Sequence, residues 1–227
     1  MPPRALEPAG VALVDKPAGP SSFAVVAQIR RLTGARTGHA GTLDPFATGL
    51  LLLLSGRTTK LAPWLVGLDK RYLTDVDLTA RTSTGDPEGS VVETLEAPDE
   101  TSLEERLALL RGEIELPIPA ASAVKIGGER AYTLARRGID VEMPLRRSTV
   151  HALDVIAYKD GTVTLDLCVS SGTYVRAIAD ALGGHCRTLR RTEVGPFSVD
   201  DAVAPADFDP DRLLAEADVL ARIGAVE

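Results

Sequence analysis

The sequence has few of the residues that hold metals or form disulfides. It contains two cysteines and three histidines in 227 residues. Cys168 and Cys186 follow no metal spacing, and the three histidines form no ligand pattern with one another. Cys168 lies in an alternating strand pattern, which is typical of a buried, reduced thiol. We therefore predict no metal site.

Long hydrophobic runs and nucleotide-binding motifs are also missing. The most apolar run is five leucines, Leu50–Leu54, far shorter than the roughly 20 residues that span a bilayer. The N-terminal MPPRALEPAG has no apolar signal core, so we expect a soluble, cytoplasmic protein without a membrane partner. No phosphate loop, dinucleotide glycine pattern or Gly-x-Ser-x-Gly elbow is present. Nucleotide hydrolysis and serine-based acyl transfer therefore have no motif support.

The negative charge is concentrated at the C-terminus. The net charge is −7, and residues 199–227 hold eight acidic residues against two arginines. The preceding residues are close to neutral and carry clusters of basic residues, among them Arg30, Arg31 and Arg36. Phosphate affinity depends on local charge, so these clusters permit an RNA-binding surface.

The order of elements favours an α+β fold with a mixed or largely antiparallel sheet. Periodicity and turn residues predict strands near 11–14, 50–54, 71–79, 149–157, 162–169 and 189–195, and helices at 58–66, 102–110, 130–137 and 173–182. Ser22 is expected to cap a further helix with Val25, Ile29 and Leu32 on its apolar face. Thr101 and Glu104 suggest a capping box. We predict one domain over residues 1–198, followed by an acidic tail over 199–227.

Asp44 is the first candidate for chemistry. It lies in the Gly- and Thr-rich loop predicted over residues 34–49, immediately before the leucine run. A turn aspartate before proline commonly hydrogen-bonds its own backbone. Alternatively, a carboxylate backed by an apolar segment can act as a nucleophile on a sugar carbon or an electron-poor base.

Three further residues each admit a structural and a functional interpretation. His39 is either a structural hydrogen-bonding residue or an acid or base near Asp44. Tyr72 is either a core aromatic or a platform for a base. Arg176 lies with Tyr174 at the start of a predicted helix. Arg176 either pairs with Asp180 on a helix surface or is the charge partner of a buried carboxylate.

Several blocks together resemble the bacterial tRNA pseudouridine synthases of the TruB type. They are VDKPAGPSS (14–22), GHAGTLDPFATGLL (38–51), TKLAPWLVGLDKRY (59–72), SAVKIGGERAYTLARRG (122–138), SSGTYVRAIADALG (170–183) and LRRTEVGPF (189–197). They occur in the order seen in that family, and the resemblance spans about residues 11 to 198. The Gly-His-x-Gly-Thr-Leu-Asp-Pro block is the most specific.

The resemblance implies an isomerase that converts uridine 55 in the T loop of tRNA to pseudouridine. It implies an α+β pseudouridine synthase fold, with a mixed, mainly antiparallel sheet, flanking helices and a catalytic cleft. Neither cofactor nor metal is needed, and a monomer without a protein partner is expected to act on the T arm. By comparison with the family, we also expect the C-terminal RNA-binding domain of most bacterial members to be missing.

The resemblance also assigns roles to single residues. Asp44 matches the catalytic aspartate, and Arg176 matches the arginine that pairs with it. Tyr72 matches the tyrosine that stacks on the target base. The positions that line the target-nucleotide pocket are matched by His39, Tyr174 and Leu189.

Two functions of other classes remain open on the sequence alone. A non-catalytic tRNA-binding or folding module could use the same basic clusters. A glycoside or nucleoside hydrolase could use a carboxylate nucleophile, but such enzymes commonly need a second acidic residue. The 38–56 block contains only Asp44.

Overall fold

The computed structural model describes residues 8–139 and 141–224. The chain divides into two compact units. The first unit comprises residues 1–72 and 190–227, and the second comprises residues 73–189. The boundaries after residues 72 and 189 each fall within a strand, so those two strands contribute residues to both units. Each unit is described by itself.

Thirteen strands and six α-helices lie within the described residues. The strands are β1 (Gly10–Lys16), β2 (Thr37–His39), β3 (Thr48–Ser55), β4 (Lys70–Asp77), β5 (Ala80–Thr82), β6 (Val91–Thr94), β7 (Gly112–Pro117), β8 (Lys125–Ile126), β9 (Glu129–Arg130), β10 (Leu145–Lys159), β11 (Thr162–Val169), β12 (His185–Val194) and β13 (Phe197–Ser198). The helices are α1 (Ser22–Thr33), α2 (Ala62–Gly67), α3 (Glu100–Ala108), α4 (Ala131–Arg136), α5 (Val175–Ala181) and α6 (Glu216–Arg222). Short 3-10 helices cover Gly56–Leu61, Val199–Asp201 and Pro210–Arg212.

Strand β3 is the centre of the first unit. It pairs antiparallel with β1 along its length and parallel with β12 at Thr48 and Gly49. Strand β2 also pairs with it, antiparallel. All five leucines of Leu50–Leu54 are fully buried, because neither face of this strand meets solvent. A strand buried on both faces carries a continuous apolar run rather than an alternating one, so the predicted buried strand is confirmed.

The C-terminal segment packs on β1 within the first unit. Val203 accepts a backbone hydrogen bond from Asp15, and Leu214 exchanges two backbone hydrogen bonds with Val11. Val219 of α6 is fully buried in the same apolar cluster as Leu50. The segment therefore occupies backbone groups of β1 that β3 does not use, which protects a sheet edge. The predicted domain boundary at residue 198 stays a prediction.

The second unit contains an antiparallel set of long strands. Strand β10 lies between β11 and β7 and pairs antiparallel with both. In β11 the residues Val163, Leu165, Leu167 and Val169 are buried and alternate with partly exposed positions, as predicted. Parallel and antiparallel pairs with flanking helices confirm the predicted α+β fold with a mixed sheet.

Three predictions about helix termini and faces are wrong. The cap of α1 is Ser21, whose side chain accepts a hydrogen bond from Ala24, and Ser22 is the first helical residue. Leu32 is 49% exposed, whereas Val25 and Ile29 are buried as predicted. Helix α3 begins two residues earlier than predicted, because Asp99 caps it through the amide of Ser102.

Other elements differ in length or were not predicted. The helix predicted over residues 58–66 is instead a 3-10 helix, Gly56–Leu61, followed directly by the short α-helix α2. Within the predicted loop 34–49, residues 37–39 form β2, and the predicted polar turn after residue 79 contributes strand β5 to a hairpin with β6. Short polar strands lack the apolar alternation on which the prediction depended.

None of the helices in the described part of the chain is long and apolar enough to cross a membrane.

Candidate active site

Asp44 lies in the turn between β2 and β3, in the first unit. The backbone carbonyl of Asp44 accepts a hydrogen bond from the amide of Ala47, over 3.1 Å. The residue is partly buried, and its neighbour Leu43 is only 3% exposed. The turn ends where the fully buried leucine strand begins. The carboxylate is therefore carried by a loop whose two ends are anchored in the core.

Ser22 fixes this loop from the first turn of α1. Its hydroxyl donates to the carbonyl of Leu43 over 2.8 Å and accepts from the amide of the same residue over 2.9 Å. Ser22 is 1% exposed, so water does not compete for these bonds. One buried side chain thus holds both backbone groups of the residue next to Asp44.

Two buried cations hold the remaining backbone of the loop. Lys16, at the end of β1, is fully buried and donates from Nζ to the carbonyls of Pro17, Pro45 and Ala47 at 2.9, 3.0 and 2.7 Å. Arg191 is 1% exposed, and donates from Nε to Leu50 and from Nη2 to Gly41. Burying a charge is costly unless polar partners surround it, and here the loop carbonyls are those partners. The loop and the cations therefore stabilise each other.

Gly49 allows β12 to approach β3 closely enough for this arrangement. A Cβ atom at this position would lie 2.2 Å from the carbonyl oxygen of Arg191, and its φ of +101° is one that side-chain-bearing residues rarely adopt. Glycine alone meets both conditions at little cost. Gly49 therefore permits the parallel pairing of β3 with β12, which places Arg191 beneath the loop.

His39 lies at the end of β2, five residues before Asp44. Its ring contacts Phe23 edge-on, with a centroid distance of 5.2 Å and an interplanar angle of 79°. Its Nδ1 is buried and has no hydrogen-bond partner in the described part of the chain. Burial, and secondly the positive charge of Arg191, lowers the pKa of His39 below 6.5. The imidazole is therefore neutral at pH 7 and can exchange a hydrogen bond with a bound molecule.

Tyr72 lies in β4 with only 8% of its surface exposed. This burial agrees with the core interpretation, and stacking on a base stays a prediction. Its neighbour Lys70 is also buried and donates from Nζ to the carbonyls of Val66 and Leu68. Burial, and secondly the charge of Arg191, lowers the pKa of Lys70 to about 8.

Arg176 is buried in the second unit, in the first turn of α5. It forms an ion pair with Asp86, with Nη1 3.2 Å from Oδ2, and both side chains are at most 5% exposed. It also donates to the carbonyls of Thr84 and Ala121. The alternative of a surface pair with Asp180 is wrong, because Arg176 is buried. The carboxylate of Asp180 accepts from Arg81 over 2.6 Å. The expected pairing of Arg176 with Asp44 joins residues of different units and stays a prediction.

The other two predicted residues of the second unit lie on different elements. Tyr174 is the N-cap residue of α5 and is partly buried. Leu189 is 7% exposed within β12. Arg176 lines a cavity of about 210 Å³, together with residues 82–85, 117–120, Met143, Ala177 and Asp180. Tyr174 does not line this cavity. Of Arg176 and Tyr174, the structure therefore places only Arg176 at the cavity.

Three residues that hold the loop were not identified as site residues from the sequence. Ser22 has the sequence signal of a cap, Lys16 that of a strand end, and Arg191 that of a basic cluster. Of these three signals only that of Lys16 pointed to burial, because this lysine comes two residues after the apolar strand VALV, residues 11–14. In residues 8–139 and 141–224, no three His, Cys, Asp or Glu side chains are grouped as a metal ion needs. The absence of a metal stays a prediction.

Residues 30–175 match the family described as TruB family pseudouridylate synthase (N terminal domain). The chain belongs to the TruB family of pseudouridylate synthases. It is 47% identical over 206 residues to a tRNA pseudouridine synthase B of Mycobacterium sp. (strain KMS), an alignment that covers 85% of this chain and 69% of that protein. It is 43% identical over 224 residues to a tRNA pseudouridine synthase B of Leifsonia xyli subsp. xyli, covering 92% and 74%.

The fold is also found in solved structures. A crystal structure of a Cbf5-Nop10-Gar1 complex matches with a TM-score of 0.68 and 26% identity, over 96% of this chain and 57% of that one. The chain thus spans a little over half of that protein. Membership in the TruB family confirms the resemblance, the pseudouridine synthase fold and the enzyme class, an isomerase. The matched range contains His39, Asp44, Tyr72 and Tyr174, and ends one residue before Arg176.

Proposed function

We propose that this TruB-family protein converts uridine 55 in the T loop of tRNA to pseudouridine, with Asp44 as the catalytic nucleophile. The relatives at 47% and 43% identity carry the name tRNA pseudouridine synthase B, which supports tRNA as the substrate. The Gly-His-x-Gly-Thr-Leu-Asp-Pro block, residues 38–45, lies wholly within the matched family range. Exposed arginines at 30, 31 and 36 supply positive charge for phosphates.

The observation that carries this proposal is the fixed loop around Asp44. Ser22, Lys16 and Arg191 are each at most 1% exposed, and together they hold the backbone of Gly41, Leu43, Pro45, Ala47 and Leu50. A nucleophile gains rate from being held in attack geometry before the substrate arrives. A simple surface turn needs no such set of buried donors.

The reaction rearranges one nucleotide without oxidation. The bond between N1 and C1′ breaks, the uracil turns, and a bond between C5 and C1′ forms. The proton on C5 leaves and N1 takes up a proton, so substrate and product are isomers. The carboxylate of Asp44 can form the covalent intermediate through the sugar or through the base, and either route begins from its ionised form.

The freed uracil must be retained and water must be excluded while the intermediate exists. The buried leucine strand that follows the loop anchors it in the apolar core. The target nucleotide lies within a folded RNA loop and has to be flipped out. We assign Tyr72 to stacking on that base and Arg176 to the charge of Asp44. His39, Tyr174 and Leu189 are assigned to the walls of the nucleotide pocket.

The test is pseudouridine mapping of an unmodified tRNA transcript after incubation with the wild type, Asp44→Ala and Asp44→Asn. We expect conversion at position 55 by the wild type, and a loss of at least about 10³-fold in both variants, since a nucleophile has no substitute. The matched control is Asp154→Asn, which removes an exposed carboxylate from β10 and should retain full activity.

Three outcomes would contradict this proposal. Unchanged conversion by Asp44→Ala contradicts the assigned nucleophile. If the wild type binds tRNA without converting it, the protein is a tRNA-binding or folding module, and release of free uracil would instead indicate a hydrolase. A cytoplasmic location, a monomeric state, action without a protein partner and recognition of the T arm and T loop of tRNA are parts of the same proposal.

A further inference from the structure

Phe23 is an exposed aromatic residue at the start of α1. Its side chain is 68% exposed, whereas Val25 and Ile29 of the same helix are buried. Because successive helical residues are about 100° apart, residue 23 points away from the buried face. Single exposed apolar residues are common, so exposure alone assigns no role to Phe23.

The ring of Phe23 contacts the ring of His39. The two rings meet edge-on at 5.2 Å, a favourable arrangement for aromatic pairs. His39 also carries the buried Nδ1 that has no partner in the described part of the chain. Buried polar atoms are normally paired, so this nitrogen is an unusual feature of the ring that Phe23 contacts. The pair thus combines an exposed apolar ring with an adjacent, unused polar atom.

Phe23 is also fixed relative to the loop that carries Asp44. It directly follows Ser22, whose hydroxyl holds both backbone groups of Leu43, and Leu43 directly precedes Asp44. From bond lengths and the 3.8 Å step between neighbouring Cα atoms, the Cα atoms of Phe23 and Asp44 lie at most about 15 Å apart. A ring at this distance can contact a base beside the reacting nucleotide while Asp44 reaches the reacting one.

We propose that Phe23 is a base-stacking residue that positions an unpaired base next to the target uridine. This inference rests on the proposed function, because it takes the substrate to be a folded RNA loop. Bases removed from an RNA loop are commonly stacked on aromatic side chains. A rigid ring loses little conformational freedom on binding, which favours such a contact. The contact is made in the ground state and in the transition state alike, so it affects KM and the RNA Kd rather than kcat.

The experiment uses a T-arm stem-loop RNA with tritium on C5 of its uridines, since C5 loses its hydrogen in the reaction. The variants are Phe23→Ala, Phe23→Tyr and, as a matched control, Trp64→Ala, which removes another exposed aromatic of the same unit. We expect Phe23→Ala to raise KM and Kd by about 5- to 150-fold with kcat within twofold. Phe23→Tyr should restore wild-type values, and Trp64→Ala should match the wild type.

A series of RNAs, each with one abasic loop position, identifies the base in contact. At that position the difference between the wild type and Phe23→Ala should disappear, because the ring has lost its partner. An undiminished difference at every position, or a Kd for Phe23→Ala equal to that of the wild type, would overturn the inference. If the wild type releases no tritium from any RNA, the proposed function fails, and the Kd series still decides the role of Phe23.

Discussion

The double hydrogen bond of Ser22 to Leu43 can be tested against its neighbour Ser21. Ser22→Ala removes one hydroxyl and leaves the amide and the carbonyl of Leu43 without their partner, in a place that is 1–3% exposed. Each buried unpaired group costs about 1–3 kcal/mol. Partial relaxation and a slightly better helix former at this position reduce the sum. We expect the free energy of unfolding to fall by about 2–4 kcal/mol.

Ser21→Ala is the matched control because it removes a hydroxyl one residue earlier. Ser21 is exposed, and accepts one hydrogen bond from Ala24 as the cap of α1. Loss of such a cap costs about 1 kcal/mol. Both variants should remain folded, since domains of this size are typically stable by about 5–15 kcal/mol. Urea denaturation measures both values in the same buffer.

Activity separates the two variants further. Without Ser22 the backbone beside Asp44 can shift, and a displacement of about 1 Å can cost 10²-fold in rate. We expect single-turnover tritium release to fall by about 10- to 100-fold in Ser22→Ala, and to stay within twofold of the wild type in Ser21→Ala. Equal stability and equal rates for the two variants would refute the reasoning that Ser22 holds the catalytic loop.

Two further predictions follow from the same unit. Gly49→Ala should lower the free energy of unfolding by at least about 3 kcal/mol, because the new Cβ would lie 2.2 Å from the carbonyl of Arg191 at a φ of +101°. Gly67→Ala, where no atom lies within 4 Å of the added Cβ, should be neutral or slightly stabilising, and equal melting curves for the two would contradict this. The folded-state pKa of His39 is below 6.5, so the unfolded chain binds its proton first as the pH falls, and stability should decrease below pH 6.5. His39→Gln should flatten that decrease in unfolding curves between pH 6.5 and 5, and a slope unchanged from the wild type would count against the partly buried, neutral imidazole.

Local sequence patterns predicted the elements whose buried positions follow from the residues of that element alone. The unbroken run Leu50–Leu54 predicted a strand buried on both faces, and the alternation in β11 predicted a strand with one buried face. The loop with Asp44 was located by its glycines and proline. In each case the residues that decide the structure are neighbours in the chain.

Contacts between distant segments were beyond such patterns. Arg191 bonds to Leu50, 141 residues away, and Ser22 to Leu43, 21 residues away. From the sequence alone, Arg191 was interpreted as part of a basic cluster and Ser22 as a helix cap. The polar hairpin of β5 and β6 was missed since cross-strand pairing, rather than local hydrophobicity, forms it.

The sequence by itself determined the family, the buried leucine strand and the position of the one acidic residue beside it. Those features depend on residue identity and on short-range periodicity, which the chain displays directly. Only the tertiary structure showed that Ser22, Lys16 and Arg191 hold the backbone on both sides of Asp44. A buried donor can be recognised only by the acceptor that satisfies it, and here those acceptors are loop carbonyls that no side-chain pattern records.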